Sequence, residues 1–197
     1  MNANRVDYQL IRRVLSAISP ISSQTAIALE PATRIQNFEK GEILETAGRH
    51  VRYQFVVISG VIRKFLTNAK GDEFTIDFFC AGQVITPTLL RSVDFVSFVN
   101  LEVISLQAAV MTFSQELMEA TMQGNKDLEA LGFKAIMHDA YKRAEREKIL
   151  LTATGAEKLD WFRKYYPNLE NEVPHYYIAS FLGLTPTSLS RLRTKKG

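Results

Sequence analysis

Cysteine is nearly absent from this 197-residue chain: Cys80 stands alone. A single thiol permits no internal disulfide and fits a reducing compartment. Nor can it hold an iron–sulfur cluster, which needs four protein ligands. Long uncharged apolar runs are also missing, and no window approaches the roughly 18 residues that would span a bilayer. The first stretch, MNANRVDYQLIRRVLSAIS, carries charges throughout, so no secretory leader is expected. Ten glycines and six prolines are too few for a low-complexity or collagen-like chain, and 46% hydrophobic content is too high for disorder. His50, His138 and His175 are too scattered for a metal-ligand pattern. No P-loop, GxSxG or HExxH motif occurs. These absences leave a soluble, cytoplasmic chain without a membrane partner.

Charge is scarce in sum and uneven in place. Lys and Arg number 24 against 21 Asp and Glu, a net of +3. From Tyr177 to the last residue, Gly197, there is no acid at all, while Arg191, Arg193, Lys195 and Lys196 cluster there. Such a terminus attracts phosphate through counterion release, or is simply a solvated basic tail.

The hydrophobic period changes along the chain. Val6, Leu10, Val14 and Ile18 repeat every four residues, which predicts a helix that Pro20 stops, with Ser22 or Ser23 capping a second. The pattern then becomes alternating. Val51, Tyr53, Phe55 and Val57 alternate with Arg52 and Gln54; Phe74, Ile76 and Phe78 with Thr75 and Asp77; Val99, Leu101 and Val103 with Asn100 and Glu102. Each reads as a half-buried strand with its polar residues facing water. Turn signals at Gly41, Gly48, Gly60, Gly71 and Gly82 punctuate them, so residues 20–110 read as a β-sandwich or jelly roll. From Ser114 to Leu151 turn signals almost vanish and helix formers dominate. Leu128, Leu131, Ala135, His138, Lys142, Glu145 and Ile149 make a stripe for packing within the chain or against a second copy. The divisions expected are 1–112, which holds the β region; 113–152, a linker and long helix; and 153–197, a C-terminal helical unit.

The last 24 residues carry the chemistry. In PHYYIASFLGLTPTSLSRLRTKKG, Ile178, Leu182, Leu184, Leu189 and Leu192 lie at helical spacings broken at Gly183. Ala179 is small where two helices cross, and Gly183 suits a left-handed helix end. Thr185 is a good N-cap and Pro186 a good first helical residue. Helix, glycine turn, helix is a helix-turn-helix, though an ordinary αα-hairpin shares the outline. In the first reading the second helix enters the major groove. Thr185, Thr187, Ser188 and Ser190 are then donors to phosphate or base, and Arg191 presents its fork to guanine. Arg193, Lys195 and Lys196 meet phosphates.

A β domain, a long helix and this terminus together resemble the Crp/Fnr family of bacterial transcription regulators. FEKGEILETAG at 38–48, GDEFTIDFFCAGQ at 71–83 and VPHYYIASFLGLTPTSLSRLR carry the resemblance, which covers nearly the whole chain. It implies an α+β chain: a cyclic-nucleotide-binding-like jelly roll, a dimerising helix and a C-terminal helix-turn-helix, here without the β-hairpin wing that often follows. It also implies a homodimer on double-stranded DNA, with RNA polymerase as a further partner.

The nucleotide cassette departs from the family pattern. Thr86-Pro87 stands where a Gly-Glu pair would hold the ribose, although Arg91-Ser92 resembles the phosphate-binding pair. Between them Thr88, Leu89 and Leu90 are too few for a phosphate-holding helix. A cyclic nucleotide, ordinary cAMP above all, is therefore disfavoured as effector. The expectation is a non-enzymatic Crp/Fnr-type regulator. Its alternatives are a degenerate ligand-binding or scaffold protein that no longer binds DNA specifically, and a cupin-like enzyme, for which the β region offers only His50.

Overall fold

Where the sequence changes period, the chain passes from helix to sheet. The computed structural model describes residues 6–86 and 94–194. Asp7 caps α1 (Tyr8–Ser16) by accepting from the Gln9 amide at 3.1 Å. Ser22 caps α2 (Ser23–Leu29) by accepting from the Thr25 amide at 3.2 Å. Each cap satisfies an amide that the first helical turn leaves without a partner.

The strands follow: β1 (Thr33–Glu39), β2 (Ile43–Glu45), β3 (Tyr53–Ser59), β4 (Ile62–Thr67), β5 (Glu73–Phe79), β6 (Val84–Ile85), β7 (Asn100–Val103) and β8 (Gln107–Ser114). Among the described residues they form two antiparallel sheets, ordered β1-β8-β3-β6 and β2-β7-β4-β5. Phe55, Val57, Ile62, Phe79, Leu101 and Val110 belong to the apolar core these strands share. Gly60 turns the chain from one sheet to the other at φ 85°. A Cβ there would sit 2.7 Å from Ala108 Cα, so the crossing admits only glycine.

Two of the expected alternations fail, for one physical reason. Thr75 and Asp77, expected to face water, are 1% and 4% exposed, whereas Phe74 is 49% exposed. On β3, Tyr53 is exposed and Val56 is buried beside Phe55 and Val57. Alternation needs one wet face, and helices cover both sheets. Val56, Met111 and Phe113 share a core with Ile11, Leu15 and Leu29 of α1 and α2. Val61, Phe78 and Ile104 share another with the C-terminal helices.

Those helices are α3 (Gln115–Met122), α4 (Lys126–Thr152), α5 (Gly155–Tyr165), α6 (Leu169–Glu172), α7 (His175–Leu182) and α8 (Pro186–Thr194). The stretch expected to be a linker and a helix is two helices, divided where Gly124 adopts φ 72° and Asn125 restarts the chain by capping α4. The stripe on α4 also departs from expectation. Leu128 and Leu131 pack inward, but the inward row then passes through Asp139 and Lys142, while His138 and Glu145 are exposed. That row packs within the chain. The outward face instead carries Phe133, Ile136 and Tyr141, which are 67%, 40% and 66% exposed. No helix among the described residues is long and apolar enough to cross a membrane.

Candidate functional site

The α7–α8 junction is built by local backbone chemistry. Gly183 sits at φ 64°, ψ 34°, a left-handed conformation that glycine adopts without penalty. Its amide donates to the Ser180 carbonyl at 3.2 Å and the Leu184 amide donates to that of Ala179 at 2.9 Å. This is the paired closure of a Schellman motif. Two residues later Thr185 Oγ1 accepts from the Ser188 amide at 3.1 Å, and Pro186 occupies the first helical position. Leu189, 1% exposed, ties α8 to Ile178, Ala179 and Leu182 in one small core.

With Leu189 inward, Thr187, Ser188, Ser190 and Arg191 are left exposed on α8. Thr185 is also exposed, at the cap. Arg193 is engaged otherwise: its Nε donates to Glu170 Oε1 at 2.6 Å, and a terminal nitrogen lies 2.9 Å from His175 Nδ1. Glu170 also takes Arg163 at 2.6 Å, and these two guanidinium groups, Arg163 foremost, hold its carboxyl below the usual range. Arg193 thus fastens α8 to α6 and α7. Arg91, Ser92, Lys195 and Lys196 lie outside the described residues.

A cavity of about 400 Å³ opens where α4 crosses β4 and β5. It is lined by the cations Lys64, Lys142, Arg143 and Arg146, by Asp77 and Glu147, and by apolar Ile76 and Phe98. Several of these groups are already engaged. Lys142 Nζ lies 2.5 Å from Asp77 Oδ1 and donates to the Phe78 carbonyl at 3.1 Å. Tyr166 donates its hydroxyl to Asp77 at 3.0 Å, and burial, aided by this carboxylate, pushes the phenol well above its ordinary value. Arg146 donates to the Phe181 carbonyl at 2.8 Å and lies over the Phe181 ring. Lys64 is 2% exposed, and burial brings its pKa down to about 8.

Beside the cavity α7 sits on the outer face of the second sheet. Ser180 Oγ accepts the Thr75 amide at 2.9 Å. Arg63 is held between the rings of Phe65 and Tyr177, at 3.9 and 3.8 Å, and pairs with Glu73 and Glu102.

The sequence reading missed Asp77, Lys142, Tyr166 and Arg63. The signal for Lys142 was there: it falls in the same helical row as Leu128, Leu131 and Ala135. So was that of Arg63-Lys64, two adjacent cations inside the apolar run from Val61 to Leu66.

No family model matches this chain, and no curated protein does either. Solved structures do match. FixK2 from Bradyrhizobium japonicum superposes with a TM-score of 0.65 at 17% identity, covering 83% of each chain. A protein of Eubacterium rectale described as a transcriptional regulator of the Crp/Fnr family gives 0.70 at 14% identity, covering 89% of this chain and 83% of that one. CLP from Xanthomonas campestris, described as a c-di-GMP-responsive global regulator, gives 0.67 at 13% identity, covering 89% and 91%. The chain has the Crp/Fnr-type fold. Among the described residues, the exposed side of α8 and the cation-lined cavity are two candidate sites.

Proposed function

We propose that this chain is a DNA-binding transcriptional regulator of Crp/Fnr type, acting as a homodimer, with α7–α8 as its helix-turn-helix. The observation that carries the reading is the α7–α8 junction: a left-handed Gly183, a capping Thr185 and an outward row of Thr187, Ser188, Ser190 and Arg191. Two strand orders that alternate between facing sheets support the jelly-roll reading of the β region.

One such helix pair buries too little DNA for tight binding, so two copies are required. The exposed Phe133, Ile136 and Tyr141 on α4 supply the contact between copies, in place of the Leu128–Ile149 stripe. The recognition helices of the dimer then lie roughly 34 Å apart, one turn of the duplex. Arg191 reads base edges through its planar fork, and Lys195 and Lys196 take phosphates. The effector is read as an anion, because Lys64, Lys142, Arg143 and Arg146 line the cavity and outnumber Asp77, Glu147 and the Asp139 that pairs with Arg143; CLP is described as responding to an anion, c-di-GMP.

The test is binding to genomic fragments and then to the selected duplex across a salt series. Arg191→Ala is expected to lose about 1–3 kcal/mol on the selected duplex and little on a scrambled one. Lys195→Ala is expected to weaken both and flatten the salt slope by about 0.9. Equal loss on both duplexes for Arg191→Ala would reduce it to a phosphate contact. No duplex bound at low salt would leave the scaffold reading.

A further inference from the structure

His175, the first residue of α7, makes two hydrogen bonds whose directions are fixed by its partners. Its Nε2 lies 3.2 Å from the Glu170 carbonyl oxygen, which can only accept. Its Nδ1 lies 2.9 Å from a terminal nitrogen of Arg193, which can only donate. Nε2 must therefore carry the ring proton, and Nδ1 must be bare. The contact between α7 and Arg193 of α8 exists for the neutral ring alone.

The surroundings offer a second ring proton no acceptor. Glu170 of α6 already takes three N–H bonds, from Arg193 Nε at 2.6 Å and from Arg163 of α5 at 2.6 and 3.0 Å. These guanidinium groups, Arg163 foremost, hold the Glu170 carboxyl below its usual range, so it stays ionised while a histidine titrates. Two guanidinium groups on one carboxylate leave the cluster positive before His175 is counted. A proton on Nδ1 would meet Arg193 donor to donor and add a like charge.

We propose that His175 is a positioning residue of α8. With Nδ1 bare it holds Arg193 and sets the lie of the recognition helix; a protonated ring lets Arg193 go, so DNA reading by α8 weakens in mild acid. The DNA half rests on the helix-turn-helix reading of α7–α8, and the fastening does not. His175 acts only through Arg193. Loss of one such hydrogen bond loosens each copy about threefold, and a homodimer feels it twice, about tenfold on the duplex.

The experiment uses the full chain at about pH 7.5 and about pH 5.5, which bracket histidine titration. One arm measures the selected duplex. The other measures amide protection at Leu189, whose N–H is bonded to the Thr185 carbonyl at 3.0 Å. In the wild type, duplex affinity is expected to fall about tenfold at the lower pH and Leu189 protection about threefold. His175→Asn keeps an acceptor at the Nδ1 position and takes up no proton, so both readouts should lose their pH response. His175→Lys has donors alone and should behave at either pH as the wild type does in acid. With Arg193→Met in place, replacing His175 by Lys should change nothing further.

A pH profile that His175→Asn shares with the wild type overturns the proposal. So does a His175→Lys chain that matches the wild type at the higher pH, or an effect of residue 175 that survives Arg193→Met. If no duplex is bound, the exchange arm decides: a response that follows residue 175 keeps the positioning role and sinks the regulator. Duplex binding with Leu189 protection indifferent to residue 175 does the reverse.

Discussion

Both sheets of this molecule are covered by helices, and the two covers are made of opposite materials. Over the first sheet, α1 and α2 lay Ile11, Leu15 and Leu29 on Val56, Met111 and Phe113. Over the second, α5 and α7 add to their aromatic contacts the chain Tyr166–Asp77–Lys142, the sandwiched Arg63 and the Ser180–Thr75 bond. Apolar burial is non-directional and holds no charge for an ion to compete for. A buried polar network is directional, and each member can be bid away by another charge. The first cover is held by apolar contact. The second is bordered by the cation-lined cavity.

The strongest way to break this contrast is to remove the acid at its centre. Asp77→Leu leaves Lys142 buried without its carboxylate and is expected to cost about 3–5 kcal/mol in denaturant unfolding. The double variant Asp77→Leu, Lys142→Met is expected to recover most of that loss, because no unpaired charge remains. A double variant as unstable as the single one would show the site to depend on shape, not charge.

Next in size is the apolar cover. Leu15→Ala, at a position 1% exposed, is expected to cost about 3 kcal/mol. Its loss should be the same in dilute buffer and in about 0.1 M sodium chloride, since no charge is involved. A loss that varied across that range would erase the distinction between the covers.

A third, smaller effect has the opposite sign. The pKa of Lys64 falls from 10.5 to about 8 on folding, through burial. Between those values the unfolded chain binds a proton that the folded chain releases, so this residue's contribution to stability rises with pH across that window. Lys64→Met removes the burden and is expected to be more stable than wild type by about 2 kcal/mol near neutral pH. The gap should close as pH approaches about 10, which unfolding curves at several pH values would show. A gap independent of pH would mean Lys64 is charged in the folded protein throughout.

The smallest change is expected at the helix junction. Thr185→Ala removes the acceptor of the Ser188 amide and should cost about 1 kcal/mol. Faster exchange at Ser188 with unchanged exchange at Thr75 would localise it to α8.

How much of this was legible in the sequence follows from the same contrast. The α7–α8 junction was legible because it is local: Gly183, Thr185 and Pro186 act on their own backbone. The strands β3, β5 and β7 were visible as alternating runs, but their sidedness was not. Thr75 and Asp77 look like a wet face until helices from more than 80 residues away cover them. β4 was hidden altogether, since Ile62, Arg63, Lys64 and Phe65 are all buried and nothing alternates. On α4 the row was visible and its direction was not, because spacing alone cannot say which of two faces meets the protein's own sheet. Arg63, Asp77, Lys142 and Tyr166 are a site only by long-range convergence.

The position of β5 gives the Ser180–Thr75 bond a further meaning. In the order β2-β7-β4-β5 it is the outermost strand, and its outward Thr75 amide is taken by a side chain of α7. Lifting α7 would uncover a strand edge flanked by Phe74 and Ile76, open to pairing with the same edge of another molecule. Any state with the helices raised therefore carries a hazard of self-association into strand-paired aggregates. The protein can visit that state safely only briefly, at low concentration, or while something else occupies the edge.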